Sequence, residues 1–198
     1  MGLKLVGVFL MVIKAILFDL DGTLVDTKEA NYEAYQKAFL KVGVVLTRRD
    51  YDENFGLCFS DMVKIIFPLS NIKEREIIKK LKSQYYRKIL HKTKLNMTLK
   101  SVLLHNRSRY RTAIVSTASK KNAIEVLTYH GLVDLFDIFV FGEDVKYGKP
   151  NSECYDLAIK LLGVDKSECL VYEDSAVGMR SAESSGASVV NVAGWNEC

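Results

Sequence analysis

Four groups of polar side chains in this sequence come after short apolar runs, three of them directly and the remaining one, Lys149, at the start of the helix that follows its run. They are Asp19 with Asp21, Ser116 with Thr117, Lys149, and Glu173 with Asp174. Carboxylates held close together repel one another unless a cation lies between them. Oxygen ligands favour a hard ion, and Mg²⁺ commonly takes one or two carboxylates together with phosphate oxygens and water. If the four groups converge, they therefore predict a Mg²⁺ site that acts on a phosphorylated substrate.

The same residue types allow a chemical role to be predicted for each group. Asp19 is expected to attack phosphorus and form an aspartyl-phosphate, and Asp21 to protonate the leaving oxygen and later activate water. Ser116 and Lys149 are expected to bind the transferring phosphoryl oxygens and offset their charge. Gly22 lets the backbone turn sharply beside the phosphate. Taken alone, each group has a plainer explanation, such as a turn or a helix cap, so the ordered set carries the prediction.

The elements that position these groups follow from the pattern of apolar residues. Buried runs predict strands at residues 12–20, 112–115, 138–141, 170–172 and 189–192, and helical periodicity predicts helices at 121–129, 153–162 and 176–185. Strands that alternate with helices indicate a parallel sheet covered on both faces. Ligands of such sheets bind beyond the carboxyl ends of the strands, where the polar groups lie.

A helical insertion interrupts this alternation after the first strand. Residues 27–42, 60–67 and 72–90 have helical spacing, and the many lysines of the last helix are expected to face solvent. The apolar stripe predicted for that helix is Ile77, Ile78, Leu81, Tyr85 and Ile89. We therefore predict an α/β catalytic core over residues 1–26 and 96–198, with a helical cap domain over residues 27–95.

Four segments of the sequence resemble the four motifs of the haloacid dehalogenase superfamily. They are FDLDGTLVDT at residues 18–27, IVSTAS at 114–119, YGKP at 147–150 and VYEDSAVGMRSAESSGA at 171–187. The resemblance spans residues 12–192 and is nearest to the branch with a helical cap after the first motif. That branch includes phosphoglycolate phosphatases, sugar-phosphate phosphatases and β-phosphoglucomutase. The resemblance implies a Rossmann-like three-layer core with an inserted cap.

The resemblance also implies functional residues. The implied metal ligands are Asp19, Asp21, Asp174 and Glu173, and the implied phosphate contacts are Ser116, Thr117 and Lys149. Asp19 would be the nucleophile, and Asp21 the acid and base that also offers its backbone carbonyl to Mg²⁺. Since the dehalogenases lack the second aspartate, the presence of Asp21 favours phosphoryl transfer.

The cap segment helps to separate a phosphatase from a mutase. Asn31 stands where β-phosphoglucomutase has a histidine, and residues 54–61 lack its arginine for the distal phosphate. Hydrolysis of a small phosphorylated metabolite is therefore the expected activity. The alternatives are a sugar-phosphate mutase and a catalytically idle regulatory or binding protein on the same fold. Asn31, Cys58 and Ser60 are candidate specificity residues of the cap, whereas Phe55 is expected to pack within it.

Composition and charge add only weak constraints. The net charge of +4, from 28 basic and 24 acidic residues, gives little support for a nucleic-acid partner. The 4 cysteines lie far apart and form no zinc or disulfide pattern, which favours a cytoplasmic protein. No apolar run reaches the roughly 20 residues that a membrane span needs. We interpret residues 1–10 as a leader or an extension before Met11; a signal peptide is the alternative.

Overall fold

A parallel five-stranded sheet forms the centre of the protein in the computed structural model, which describes residues 12–196. The strands of the described chain are β1 (Ala15–Phe18), β2 (Val25–Asp26), β3 (Lys94–Leu95), β4 (Arg111–Val115), β5 (Ile138–Val140), β6 (Cys169–Glu173) and β7 (Ser188–Asn191). The central sheet has the order β5-β4-β1-β6-β7, while β2 and β3 form a separate antiparallel pair. β1 is thus the middle strand.

Helices cover both faces of this sheet. The α-helices of the described chain are α1 (Lys28–Leu40), α2 (Arg48–Glu53), α3 (Phe59–Ile66), α4 (Ile72–Lys88), α5 (Met97–Asn106), α6 (Lys120–Tyr129), α7 (Glu153–Leu162) and α8 (Ala176–Ser185). On β1, Ile16 and Phe18 share one core cluster with residues of α5 and α6, and Ala15 and Leu17 share another with residues of α7 and α8. Because both faces of the strand are buried, all four of its residues are apolar.

The inserted helices build a small core of their own. α1 to α4 lie in the chain between β2 and β3, and a third apolar cluster joins residues of α1, α2, α3 and α4. The antiparallel pairing of Val25 with Leu95 brings the two ends of the insertion together. The predicted α/β class, with its parallel sheet and helical insertion, is confirmed, whereas the predicted domain bounds at residues 27 and 95 stay a prediction.

Several predicted elements agree with the observed ones, and two helices were missed. Helix α2 was not predicted because Tyr51 is its only buried residue, although Thr47 and Asp50 form a capping box at its start. Helix α5 was missed because its apolar residues do not lie on one face, and Met97 and Leu104 are exposed.

The stripe predicted for α4 is wrong in one respect that bears on function. The buried positions of α4 are Ile78, Lys82 and Tyr86, spaced four residues apart, while Ile77 is exposed. Lys82 therefore points inward, contrary to the expectation that the lysines of this helix face solvent.

Two features of the sequence lie at or beyond the limits of the described chain. The predicted leader over residues 1–10 and Cys198 both lie outside the described residues 12–196. The three cysteines within that range are free thiols. Within that range, no helix combines the length and apolar character needed to cross a bilayer.

Candidate active site

The buried first strand places Asp19 at the carboxyl edge of the sheet. β1 pairs in parallel with β4 on one side and β6 on the other, and the amide of Asp19 donates to the carbonyl of Tyr172 at 3.0 Å. This register sets Asp19, just after β1, beside Glu173 at the end of β6. Asp19 is only 6% exposed, so its carboxylate is largely removed from water.

Lys149 lies buried between two carboxylates. Its Nζ donates to Oδ1 of Asp19 and to Oε2 of Glu173, both at 2.6 Å, and to the carbonyl of Val115 at 3.3 Å. Burial alone lowers the pKa of Lys149, but the charges of Asp19 and Glu173 outweigh it and hold that pKa well above its ordinary value. The lysine is therefore a fixed cation beside Asp19.

Glu173 is held by donors on both of its oxygens. Oε2 accepts hydrogen bonds from Lys149 and from the hydroxyl of Tyr155 at 2.8 Å. Oε1 accepts from the hydroxyl of Ser175 at 2.9 Å and from the two backbone amides that follow Glu173. Gly178 in α8 leaves the necessary room, since a Cβ there would overlap the carboxylate. Glu173 is therefore placed to orient Lys149.

Asp174 stands against the turn that follows β1. The hydroxyl of Thr23 donates to its Oδ1 at 2.8 Å. Gly22 has a φ of +98°, and a Cβ at this position would overlap the Asp174 carboxylate. Glycine thus permits both the left-handed backbone and the close approach of Asp174.

Asp19, Glu173 and Asp174 form an acidic cluster whose ligand atoms lie within 4.8 Å of one another. Burial, followed by the charge of Glu173, raises the pKa of Asp19 well above its ordinary value, although Lys149 opposes the shift. The same two causes raise the pKa of Asp174 to about 7. A cation would relieve this repulsion, and the set of carboxylate oxygens fits Mg²⁺.

The side chain of Asp21 points away from this cluster towards α1. Its Oδ1 accepts from the hydroxyl of Thr27 at 2.6 Å and from Nδ2 of Asn31 at 3.2 Å, and its Oδ2 accepts from the hydroxyl of Ser116 at 3.1 Å. Asp19 is thus paired with a cation, while neutral donors surround Asp21. The two carboxylates have the different environments that a nucleophile and an acid/base require.

The two hydroxyls that follow β4 have different partners. Ser116 is buried and accepts from the amide of Ala118 while donating to Asp21. Thr117 donates to the carbonyl of Gly56 at 3.1 Å, in the loop between α2 and α3. Thr117 therefore connects the sheet edge to the inserted helices.

A cavity of about 450 Å³ extends from Asp21 into the helical insertion. Its lining includes the aromatic residues Tyr35, Tyr51 and Phe55 and the basic residues Lys82, Arg87 and Lys121. Pockets that bind small ligands commonly have volumes of roughly 300–1,000 Å³. The space is therefore suited to a compact metabolite that reaches the carboxylate edge.

Lys82 is the buried cation of this cavity. It is 7% exposed, and its Nζ lies 4.9 Å from the ring centre of Tyr35 and 4.4 Å from that of Tyr86. Burial lowers the pKa of Lys82 to about 8. Two more residues of the lining, Ser83 and Asn122, each carry a buried oxygen without a hydrogen-bond partner in the described chain. This end of the cavity can accommodate further polar groups of a ligand.

The candidate cap residues divide into two groups. Asn31 and Phe55 line the cavity, and Phe55 also packs against Tyr51 with ring centres 5.9 Å apart. Cys58 and Ser60 are not among the lining residues in the described chain. Their side chains face each other, with Sγ and Oγ 3.1 Å apart. The geometry thus gives more support to Asn31 than to Cys58 or Ser60.

The residues that contact the site or cavity but were missed in the sequence include Thr23, Thr27, Tyr155 and Lys82. Thr27 could have been found because it lies four residues before Asn31, on the same face at the start of α1. Lys82 lies four residues from both Ile78 and Tyr86 on the buried stripe, but its residue type indicated a solvent-facing position. Tyr155 gave no signal beyond its place among buried residues of α7.

Comparison with known proteins defines the class to which this fold and site belong. The model of the haloacid dehalogenase-like hydrolase family matches residues 16–192. The chain therefore belongs to the haloacid dehalogenase-like hydrolases, as the four motifs predicted.

Individual relatives include phosphatases and a mutase. The chain is 30% identical to a phosphorylated carbohydrates phosphatase of Thermotoga maritima, over 87% of this chain and 82% of that protein. It is 26% identical to a fructose-1-phosphate phosphatase of Escherichia coli, over 89% of this chain and 95% of that protein. The structure of β-phosphoglucomutase from Clostridium difficile superposes with a TM-score of 0.81 at 26% identity, covering 91% of this chain and 84% of that one.

Proposed function

We propose that this protein is a Mg²⁺-dependent phosphatase that hydrolyses a small phosphorylated metabolite through an aspartyl-phosphate on Asp19. The observation that carries the proposal is the buried position of Lys149 Nζ between Asp19 and Glu173, with Asp174 in the same acidic cluster. The proposed nucleophile, the proposed phosphate-binding cation and the candidate metal ligands thus lie together. They do so beyond the carboxyl ends of β1 and β6, where open α/β sheets bind ligands.

The proposed reaction has two steps. In the first, a carboxylate oxygen of Asp19 forms a bond to phosphorus while the bond to the substrate oxygen breaks, and Asp21 gives that oxygen a proton. In the second, Asp21 takes a proton from water as the water oxygen attacks the phosphorus and releases Asp19. Lys149 and the Ser116 hydroxyl bind the phosphoryl oxygens and offset their charge.

Asp19 and Asp174 are the side chains that we expect to hold Mg²⁺, with the backbone carbonyl of Asp21. When bound, the ion neutralises phosphate charge, so that an anionic nucleophile can approach phosphorus. Glu173, also expected as a ligand from the sequence, already has donors on both oxygens. We therefore assign Glu173 to orienting Lys149 beside the metal ligands.

The inserted helices are proposed to enclose the substrate and select it. The Thr117 to Gly56 hydrogen bond holds a loop of the insertion at the sheet edge, and the cavity leads from there to Lys82. Such closure excludes water during the first step and fixes the leaving group. Together with the relatives that act on phosphorylated carbohydrates and fructose 1-phosphate, the cavity supports a sugar phosphate or a phosphoglycolate-like compound as substrate.

A screen of phosphorylated metabolites with and without Mg²⁺, measuring released phosphate, tests the proposal. The wild-type protein is expected to hydrolyse at least one sugar phosphate or short phosphorylated acid only when Mg²⁺ is present. Isomerisation of glucose 1-phosphate without phosphate release would instead identify a mutase. Absence of turnover with every compound and with a generic aryl phosphate would identify a catalytically idle binding protein.

The remaining expectations concern partners and location. We expect a small phosphorylated metabolite as the partner, with neither nucleic acid nor membrane involved. The cytoplasmic location expected from the sequence also stays a prediction.

A further inference from the structure

The segment after β7 returns across the sheet edge to the catalytic turn. Within the sheet, β6 lies between β1 and β7. The amide of Val192 donates to the carbonyl of Glu173 at 2.9 Å, and three residues later the indole Nε1–H of Trp195 donates to the carbonyl of Gly22 at 2.6 Å. Residues 192–196 therefore pass the end of β6, where Asp174 lies, and are anchored to the turn that follows β1.

That turn is in direct contact with Asp174. Gly22 lies so close to Asp174 that a Cβ would overlap the carboxylate, and the Thr23 hydroxyl donates to Asp174 Oδ1 at 2.8 Å. Inside the turn, the amide of Gly22 donates to the carbonyl of Val25 at 2.8 Å. Trp195 donates its hydrogen bond to the carbonyl of Gly22, so both backbone polar groups of Gly22 are hydrogen-bonded. A shift of Gly22 would therefore alter the surface that supports Asp174.

We propose that Trp195 is a positioning residue that fixes the Gly22 turn against Asp174 and thereby sets the affinity of the site for a divalent cation. The inference rests on the Mg²⁺ site of the proposed function. Trp195 touches neither Asp19 nor Lys149 in the described contacts, so it acts through the turn. Loss of its hydrogen bond is therefore expected to weaken Mg²⁺ binding and to leave the rate of the chemical step at saturating Mg²⁺ unchanged.

The chain itself provides a spectroscopic probe of this contact. Trp195 is the 1 tryptophan of the sequence, so its indole N–H gives a single tryptophan signal in a nitrogen-15 correlation spectrum. A hydrogen-bonded indole next to the metal site is expected to shift when Mg²⁺ binds. The free protein and the Mg²⁺ complex can therefore be compared without altering the chain.

The test compares Mg²⁺ binding, by calorimetry without substrate, in the wild type, Trp195→Phe and Asn196→Ala. Phenylalanine keeps an aromatic ring and removes the donor, and Asn196→Ala perturbs the same segment at the adjacent residue. Loss of one hydrogen bond is expected to raise the Mg²⁺ dissociation constant of Trp195→Phe by about two- to tenfold. Its kcat at saturating Mg²⁺ should stay near that of the wild type, and Asn196→Ala should bind Mg²⁺ like the wild type.

Each outcome of these measurements either supports or refutes the inferred role of Trp195. A folded Trp195→Phe with an unchanged dissociation constant would overturn the inference while leaving the proposed function standing. If Trp195→Phe does not fold, the wild-type indole signal decides: a shift on saturation with Mg²⁺ supports the inference, and a constant signal refutes it. A wild-type protein that binds no Mg²⁺ would refute the proposed metal site and the inference with it.

Discussion

The hydroxyl of Tyr155 donates a hydrogen bond of 2.8 Å to Oε2 of Glu173, the same oxygen that accepts from Lys149. Tyr155 is fully buried on α7, and the centre of its ring lies 5.0 Å from the Lys149 Nζ. The phenol thus restricts both members of the Lys149–Glu173 pair. The proposed phosphate-binding lysine is thus positioned by two buried side chains, Glu173 and Tyr155.

Replacing Tyr155 tests whether these buried contacts of Lys149 and Glu173 matter for catalysis. Tyr155→Phe removes the donor and keeps the ring, so we expect a loss of about 1 kcal/mol in the free energy of unfolding. We also expect a two- to tenfold lower kcat, because Lys149 would be held less firmly. Tyr129→Phe, at an exposed position of α6, is the matched control. Equal kinetics of both variants and the wild type would show that Tyr155 only fills space.

Removal of Lys149 should affect stability in a pH-dependent way. Lys149→Met leaves Asp19 and Glu173 buried without their cation, and breaking such a pair costs about 3–5 kcal/mol at neutral pH. Burial acts to raise the pKa of both carboxyls and the charge of Lys149 opposes it, so that the pKa of Asp19 stays raised while that of Glu173 is lowered. Without Lys149, burial acts unopposed by that charge. In the variant these carboxyls bind protons more readily when folded than when unfolded. Linkage then requires its stability to fall as pH rises.

Denaturant unfolding of Lys149→Met between pH 5 and pH 8 measures this effect. The difference from the wild type is expected to be smaller at pH 5, where the buried carboxyls take up protons. Phosphatase activity should be absent at both pH values. A stability difference that is constant over this range would contradict the assigned electrostatics.

Lys82, the buried lysine of the cavity lining, is expected to reduce the stability of the folded protein. Its folded-state pKa of about 8 lies below the ordinary value of 10.5, so the charged form disfavours folding at pH 7. Lys82→Met should therefore raise the free energy of unfolding by about 1–3 kcal/mol. Because the cavity loses its buried cation, kcat/KM should fall, chiefly through a higher KM. Lys88→Met, exposed at the end of the same helix, is the control.

The pH profile supplies a separate test of Lys82. The wild-type kcat/KM should decline above pH 8, as the free enzyme loses the proton of Lys82. In Lys82→Met this decline should disappear. If kcat/KM declines above pH 8 in the same way in both proteins, the decline belongs to a titrating group other than Lys82.

The sequence was most informative where a local pattern and the topology agree. The apolar run before Asp19 is typical of a strand buried on both faces, and the alternation of strands with helices indicates a parallel sheet. Together with the order of the four polar groups along the chain, these features predicted that Asp19, Lys149, Glu173 and Asp174 lie near one edge of the sheet. The catalytic roles assigned to them stay predictions.

The parts that could not be predicted depend on contacts between distant segments. Lys82 looked like one more solvent-facing lysine, because nothing local shows that Tyr35 of α1 lies over its Nζ. Cys58 and Ser60 seemed suitable for specificity from their position, yet the loop turns their side chains towards each other. The link from Trp195 to Gly22 spans 173 positions and belongs to no recognised motif.

Trapping the covalent intermediate on Asp19 tests the central claim most directly. Wild-type protein is mixed with an aryl phosphate and Mg²⁺, quenched in acid and reduced with borohydride, which converts an aspartyl-phosphate to homoserine. Peptide mass spectrometry should then find homoserine at position 19, and Asp19→Asn should show no such product and at least a roughly thousandfold lower kcat. Undiminished turnover by a folded Asp19→Asn variant, or a trapped product at another residue, would contradict the account.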